Sequence, residues 1–143
     1  PAKGTVFVSV ADRDKPEIVG PVQALVELGF NVVSTAGTAA HLGGAGVPVR
    51  VVGKYSDAVG GAGSIVGDIL AGDVDLVINT PRGRGPRADG YEIRAAAVRR
   101  NIPYVTTMEA VRATVAGIEA LRRGCLTVRS LQEYLAHSGE ESR

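Results

Sequence analysis

The segment Ser34-Thr35-Ala36-Gly37-Thr38 gathers hydroxyls around a glycine, at what its flanks predict to be a strand-to-helix turn. A helix start carries partial positive charge and amides without intrahelical acceptors, which suits a phosphate. Gly37 lets a ligand approach the backbone, and Thr35 and Thr38 flank it with hydroxyls. Lys15 and Lys54 add cationic donors. Each charge-assisted hydrogen bond from such a donor contributes on the order of 1.5–3 kcal/mol. Taken singly, Thr38 would serve as a helix cap, Gly37 as a turn residue and either lysine as a solvated charge. Their convergence on one sheet edge is what points to a phosphate seat.

Other chemistry finds little support. No G-x-x-x-x-G-K-[ST] run occurs and no G-x-G-x-x-G follows the first predicted strand, which argues against an ATP-hydrolysing or dinucleotide site. His41 and His137 lack ligand-like spacing, so no metal is expected. Cys125 has no evident base nearby and reads as an idle or packed thiol. The run Pro81 to Arg87, with Arg82, Arg84 and Arg87, reads as a solvated loop that could touch an anion or a partner surface.

These residues need a scaffold, and the apolar pattern supplies one. Strands are predicted over Thr5–Val10, Phe30–Ser34, Val47–Val52, Val74–Ile78 and Pro103–Val105. Between them lie helices at about Asp14–Leu28, Thr38–Leu42, Ser64–Leu70 and Glu92–Arg100, with Met108–Arg123 after the last strand. Asp14 and Glu17 have capping-box spacing, and Gly20-Pro21 predicts a kink or a later helix start. Gly53–Gly63 and Pro81–Gly90 read as loops, Thr127–Leu135 as a short tail helix and Ser138–Arg143 as a frayed end. Strand and helix alternating about five times imply an α/β, doubly wound, five-stranded, mostly parallel sheet with helices on both faces. Ligands of such sheets bind outside the carboxyl ends of the strands. There the pattern places Ser9, Asp12 and Lys15, then Thr35 and Thr38, then Lys54, Asn79 and Thr80, then Thr106 and Thr107.

The bulk properties agree. At 143 residues with no linker or repeat, one domain is expected, with a core over 4–135 and a tail over 136–143. Sixteen basic against fifteen acidic residues give a net charge of +1, which argues against nucleic-acid or membrane-surface binding driven by bulk charge. A single cysteine fits a cytoplasmic protein, and no apolar run approaches the roughly 20 residues needed to cross a bilayer. A start at Pro1 hints at a segment of something longer.

The chain resembles the C-terminal allosteric domain of the carbamoyl-phosphate synthase large subunit, of the methylglyoxal-synthase-like, Rossmann-like fold. The matching stretches are GTVFVSVADRDK (Gly4–Lys15), LGFNVVSTAGTAAHLGGAGVPV (Leu28–Val49), VGKY (Val52–Tyr55), LVINTPRG (Leu76–Gly83), YEIRAAAVRRNIPYVTT (Tyr91–Thr107) and VRSLQEY (Val128–Tyr134). They run in order over nearly the whole chain, and the ordered set is specific where no single motif is.

The resemblance implies a regulatory, non-catalytic domain of a glutamine-dependent synthase serving pyrimidine and arginine biosynthesis. In that family uridylate (UMP) inhibits, inosinate (IMP) can activate at an overlapping site, and ornithine can activate from the junction with the synthetase core. By position the effector-binding residues are Ser9, Lys15, Thr35, Thr38, Lys54, Asn79 and Thr80. The lysines and threonines would take the phosphate, and Asn79 the nucleoside part. Tyr104 and Thr106 match positions facing ornithine, while Pro81 replaces a threonine donor of ornithine-responsive members. The implied partners are the rest of the large chain and its glutamine amidotransferase small subunit. This domain needs no cofactor of its own, whereas the full enzyme would use ATP with Mg or Mn. The alternative is a methylglyoxal-synthase-type phosphate lyase. That enzyme needs an aspartate in a G-G-D segment, where this chain has Gly61-Ala62-Gly63-Ser64, leaving Asp57 and Asp68 as the nearby carboxylates. A third relative, the inosinate cyclohydrolase domain, carries a histidine-containing basic stretch, and Lys54 to Leu70 contains no histidine.

Overall fold

Val6 and Val8 project into one apolar layer and Phe7, between them, into another. That alternation is what a strand covered on both faces requires. The structure, a computed structural model, describes residues 4–52, 65–80 and 88–123, and for 88–91 the backbone alone. Its strands are β1 (Thr5–Ser9), β2 (Asn31–Ser34), β3 (Arg50–Val51), β4 (Leu76–Asn79) and β5 (Tyr104–Val105). Its helices are α1 (Lys15–Glu27), α2 (Ala36–Gly44), α3 (Ile65–Leu70), α4 (Ala88–Arg99) and α5 (Met108–Arg122). The sheet order is β3-β2-β1-β4-β5 and every described pairing is parallel.

The expected doubly wound α/β architecture is therefore present, with an all-parallel sheet. On one face, Ile18, Val22 and Leu25 of α1, Leu42 of α2 and Val111, Val115 and Ile118 of α5 cover Val6, Val8, Val32, Leu76 and Ile78. On the other, Ile65 and Ile69 of α3 and Ile93, Ala96 and Ala97 of α4 cover Phe7, Val33 and Val77. Fully burying one such Val, Leu, Ile or Phe side chain is worth about 1.5–3 kcal/mol, so the two layers dominate stability.

Several local expectations change. Asp14 makes no side-chain cap: it ends a 3-10 turn (Asp12–Asp14) with φ −95° and ψ −10°, whereas a capping residue needs extended backbone. Glu17 reaches Arg112 of α5 instead, at 3.3 Å. α1 runs unbroken through Pro21. The carbonyl that Pro21 leaves without a donor belongs to Glu17, an exposed residue whose backbone water can satisfy. α2 starts at Ala36, two residues before the expected Thr38, and β3 contracts from Val47–Val52 to Arg50–Val51. Val47 is buried in the core, and its amide bonds the Leu42 carbonyl at the end of α2. α4 starts four residues before the expected Glu92. The expected loop over 53–63, the arginine run 81–87, Cys125, His137 and the tail helix fall outside the described residues.

Candidate functional site

In the order β3-β2-β1-β4-β5 the chain leaves β1 toward one sheet edge and later returns to β4 on the other side of β1. A parallel sheet opens a crevice at such a reversal, outside the carboxyl ends of the two strands. Ser9 ends β1 and Asn79 ends β4, and the two are paired in register.

The backbone beyond β1 is held by hydroxyls from its neighbours. Thr38 Oγ1 accepts from the Val10 amide at 3.2 Å, and Thr80 Oγ1 accepts from the Ala11 amide at 2.9 Å. Both threonines are buried and keep a hydroxyl proton to give. Thr35 Oγ1 donates to Ser9 Oγ at 3.2 Å, and the Thr80 amide extends the ladder to the Ser9 carbonyl at 3.1 Å. The crevice floor is thus fixed before any ligand arrives. Buried polar groups of this kind cost free energy unless bonded, so their pairing also specifies the fold.

At the α2 end of the crevice, Thr35 occupies the capping position with extended backbone, but its hydroxyl turns to Ser9 and makes no side-chain cap. The first intrahelical bond runs from the Ala39 amide to the Thr35 carbonyl at 2.8 Å. The amides of Ala36, Gly37 and Thr38 precede it and have no intrahelical acceptor. Lys15 comes from the first turn of α1 to this point: its Nζ stands 3.5 Å from where a β-carbon on Gly37 would sit. The ammonium rests 2.6 Å from Asp12 Oδ1, a side chain 94% exposed. A pair with so exposed a carboxylate contributes about 0–1 kcal/mol, so a dianionic phosphate can displace it.

Side-chain alternation aligns the remaining groups. Ser9, Thr35 and Asn79 follow the face of Phe7, Val33 and Val77, and Tyr104 packs against that same layer. Asn79 Nδ2 donates to the Tyr104 hydroxyl at 2.8 Å, and the Arg94 guanidinium of α4 lies 5.8 Å from the centre of the tyrosine ring. From β2, which Thr35 follows, to β5, which carries Tyr104, is three strand spacings, about 14 Å. Thr106 is half-buried one residue past β5.

The structure therefore brings Lys15 and Thr38 to the Gly37 turn and sets Ser9, Thr35, Asn79 and Tyr104 along one lip. Thr80 braces the turn after β1, and Lys54 lies outside the described residues. Arg94 was not legible as part of this row. It sits ten residues before Tyr104 on the preceding helix, and only the packing of α4 beside β5 brings the two together. Asp12 was visible at the strand end, but its pairing with Lys15 depends on the 3-10 turn that the sequence did not predict.

Comparison with known proteins places this geometry. A family model described as the MGS-like domain matches residues 17–106. The carbamoyl phosphate synthase large chain of Beutenbergia cavernae is 54% identical over 136 residues, covering 94% of this chain and 12% of that one. Its counterpart in Mycobacterium sp. (strain JLS) is 52% identical over 143 residues, covering 97% and 13%. The chain thus spans about an eighth of the length of these relatives. Among solved structures, methylglyoxal synthase from Elizabethkingia anophelis superposes with a TM-score of 0.57 at 20% identity, covering 80% of this chain and 78% of that one. ForH superposes at 0.59 and 18% identity, covering 97% and 93%. Those two likenesses establish a shared fold. With a matching family model over most of its length and sequence relatives that are carbamoyl phosphate synthase large chains, the chain belongs to the MGS-like domain family.

Proposed function

We propose that this chain is the allosteric domain of a glutamine-dependent carbamoyl-phosphate synthase large chain, and that it binds a nucleoside monophosphate such as UMP or IMP without catalysing a reaction on it. The observation that carries this reading is the Lys15 ammonium held over the Gly37 backbone at the open start of α2. The phosphate would sit there, taking the Ala36–Thr38 amides, the Lys15 ammonium and the Thr38 hydroxyl proton. Lys54, three positions beyond the end of β3 in the sequence, would add a second ammonium. The nucleoside would extend along the lip past Ser9 to Asn79.

The rest of the large chain, a glutamine amidotransferase subunit, and ATP with Mg or Mn belong to the parent cytoplasmic enzyme in this reading. The domain's effect on it is a coupling free energy, typically about 1–3 kcal/mol, arising because the effector binds two states of the enzyme unequally. Ornithine regulation through Tyr104 and Thr106 would need residues from that parent. Calorimetric titration of UMP and IMP into the 143-residue chain at millimolar concentration tests the reading. Saturable binding of at least one is expected, and absence of heat and of any melting-point shift for both would refute it.

A second reading, the phosphate-eliminating lyase, has one observation in its favour. Asp68 of α3 has a buried Oδ2 without a hydrogen-bond partner among the described residues. Formation of methylglyoxal from dihydroxyacetone phosphate, abolished by Asp68→Asn, would favour it. No turnover is expected.

A further inference from the structure

The polar lip contains a bond that the phosphate seat does not require. The side-chain amide of Asn79 donates to the Tyr104 hydroxyl at 2.8 Å, across the β4–β5 boundary. The tyrosine is itself held from two sides: its ring packs against the α3/α4 core layer, and the Arg94 guanidinium lies 5.8 Å from the ring centre. A ring so placed is a fixed post for a mobile carboxamide.

We infer that Tyr104 is a positioning residue for Asn79, holding its carboxamide so that the site shows the nucleoside part of an effector an acceptor and not a donor. The inference rests on the nucleotide-binding reading above. A free asparagine side chain offers a carbonyl oxygen or an NH2 group by simple rotation. With the NH2 committed to Tyr104, the carbonyl oxygen occupies the arm turned away from β5, where it has no hydrogen-bond partner among the described residues. A ligand placed beside Ser9 and Asn79 gains by turning a ribose hydroxyl or a ring N–H toward that oxygen. A ligand offering only an acceptor there would leave two acceptors facing each other, both stripped of water, and a site of this kind rejects such analogues strongly. The tyrosine thereby sets effector preference without touching the ligand itself.

The test compares Tyr104→Phe with the unaltered 143-residue chain, with UMP and inorganic phosphate titrated separately. Removing the hydroxyl frees the carboxamide to rotate. UMP affinity is expected to fall about five- to tenfold with phosphate affinity unchanged. In an Asn79→Ala background the same substitution should have no further effect, a coupling that a merely structural role would not produce. Unchanged UMP affinity in Tyr104→Phe would overturn the inference and leave the nucleotide reading intact, as would equal losses for UMP and phosphate. No UMP binding to the unaltered chain would remove the nucleotide reading and this inference with it. Because Tyr104→Phe could fail to fold, a second measurement uses the unaltered chain. By NMR, the side-chain amide protons of Asn79 should exchange more slowly than those of the exposed Asn31 and Asn101. Equal exchange would also overturn the inference.

Discussion

Lys15 Nζ stands 3.5 Å from the position a β-carbon on Gly37 would occupy, although the two residues lie on different helices and 22 positions apart. This closeness joins the first turn of α1 to the first turn of α2. Helix starts concentrate unpaired amides, and adding an ammonium there makes a compact positive seat. The missing side chain at Gly37 keeps that seat open.

Lys15→Ala should therefore weaken UMP about 10- to 100-fold, the equivalent of one charge-assisted hydrogen bond, and leave uridine unaffected. Equal losses for nucleotide and nucleoside, read by calorimetry, would remove Lys15 from the phosphate. Asp12 makes the complementary case, because its carboxylate occupies the ammonium at 2.6 Å until a ligand displaces it. Asp12→Asn should tighten UMP by a few-fold, an effect that fades in high salt as exposed charges are screened.

Gly37→Ala separates stability from binding. The new methyl group meets Lys15 Nζ at ordinary contact distance, and alanine is favoured over glycine within a helix by about 0.5–1 kcal/mol. The variant should melt slightly higher than the parent yet bind UMP more weakly, since the methyl group fills the phosphate's approach. A variant that gains stability and keeps full affinity would show that the phosphate does not come near this backbone.

Thr38 and Thr80 have a structural duty besides any ligand contact. Thr38→Val removes the acceptor for the buried Val10 amide while keeping the side chain's shape. Leaving that donor unpaired should cost about 1–3 kcal/mol in urea unfolding, and Thr38→Ser should recover most of it. A Thr38→Val variant of unchanged midpoint would show that the Val10 amide finds another partner.

Much of the scaffold was legible because two-sided burial writes itself as apolar runs, such as Thr5–Val10 and Val74–Ile78. The stripe Met108, Val111, Val115, Ile118 and Leu121 likewise announced α5; the first four are buried, whereas Leu121, near the helix end, is exposed. Local termini were less legible. The Asp14–Glu17 spacing satisfies the capping pattern, yet Glu17 found a better partner on α5, a contact 95 residues away that no local rule contains. Pro21 argued for a kink, but the carbonyl it strands belongs to the exposed Glu17, where water can serve it, so the helix tolerates it. At the site, the Thr35–Thr38 turn could be read directly from residue types, since hydroxyl, glycine and helix start fall within five positions. The Asn79–Tyr104–Arg94 chain could not. It depends on α4 packing beside β5 and on side-chain parity at the ends of two strands.

The central claim is that a monoester phosphate docks on the open start of α2 beneath the Lys15 ammonium. An NMR titration of the ¹⁵N-labelled chain with UMP tests it most directly, by following the backbone amides of Ala36, Gly37 and Thr38. All three should shift downfield in a saturable way as they take the phosphate oxygens, with inorganic phosphate shifting the same three and uridine leaving them in place. Saturable UMP shifts confined to other parts of the chain, with these three amides stationary, would contradict it.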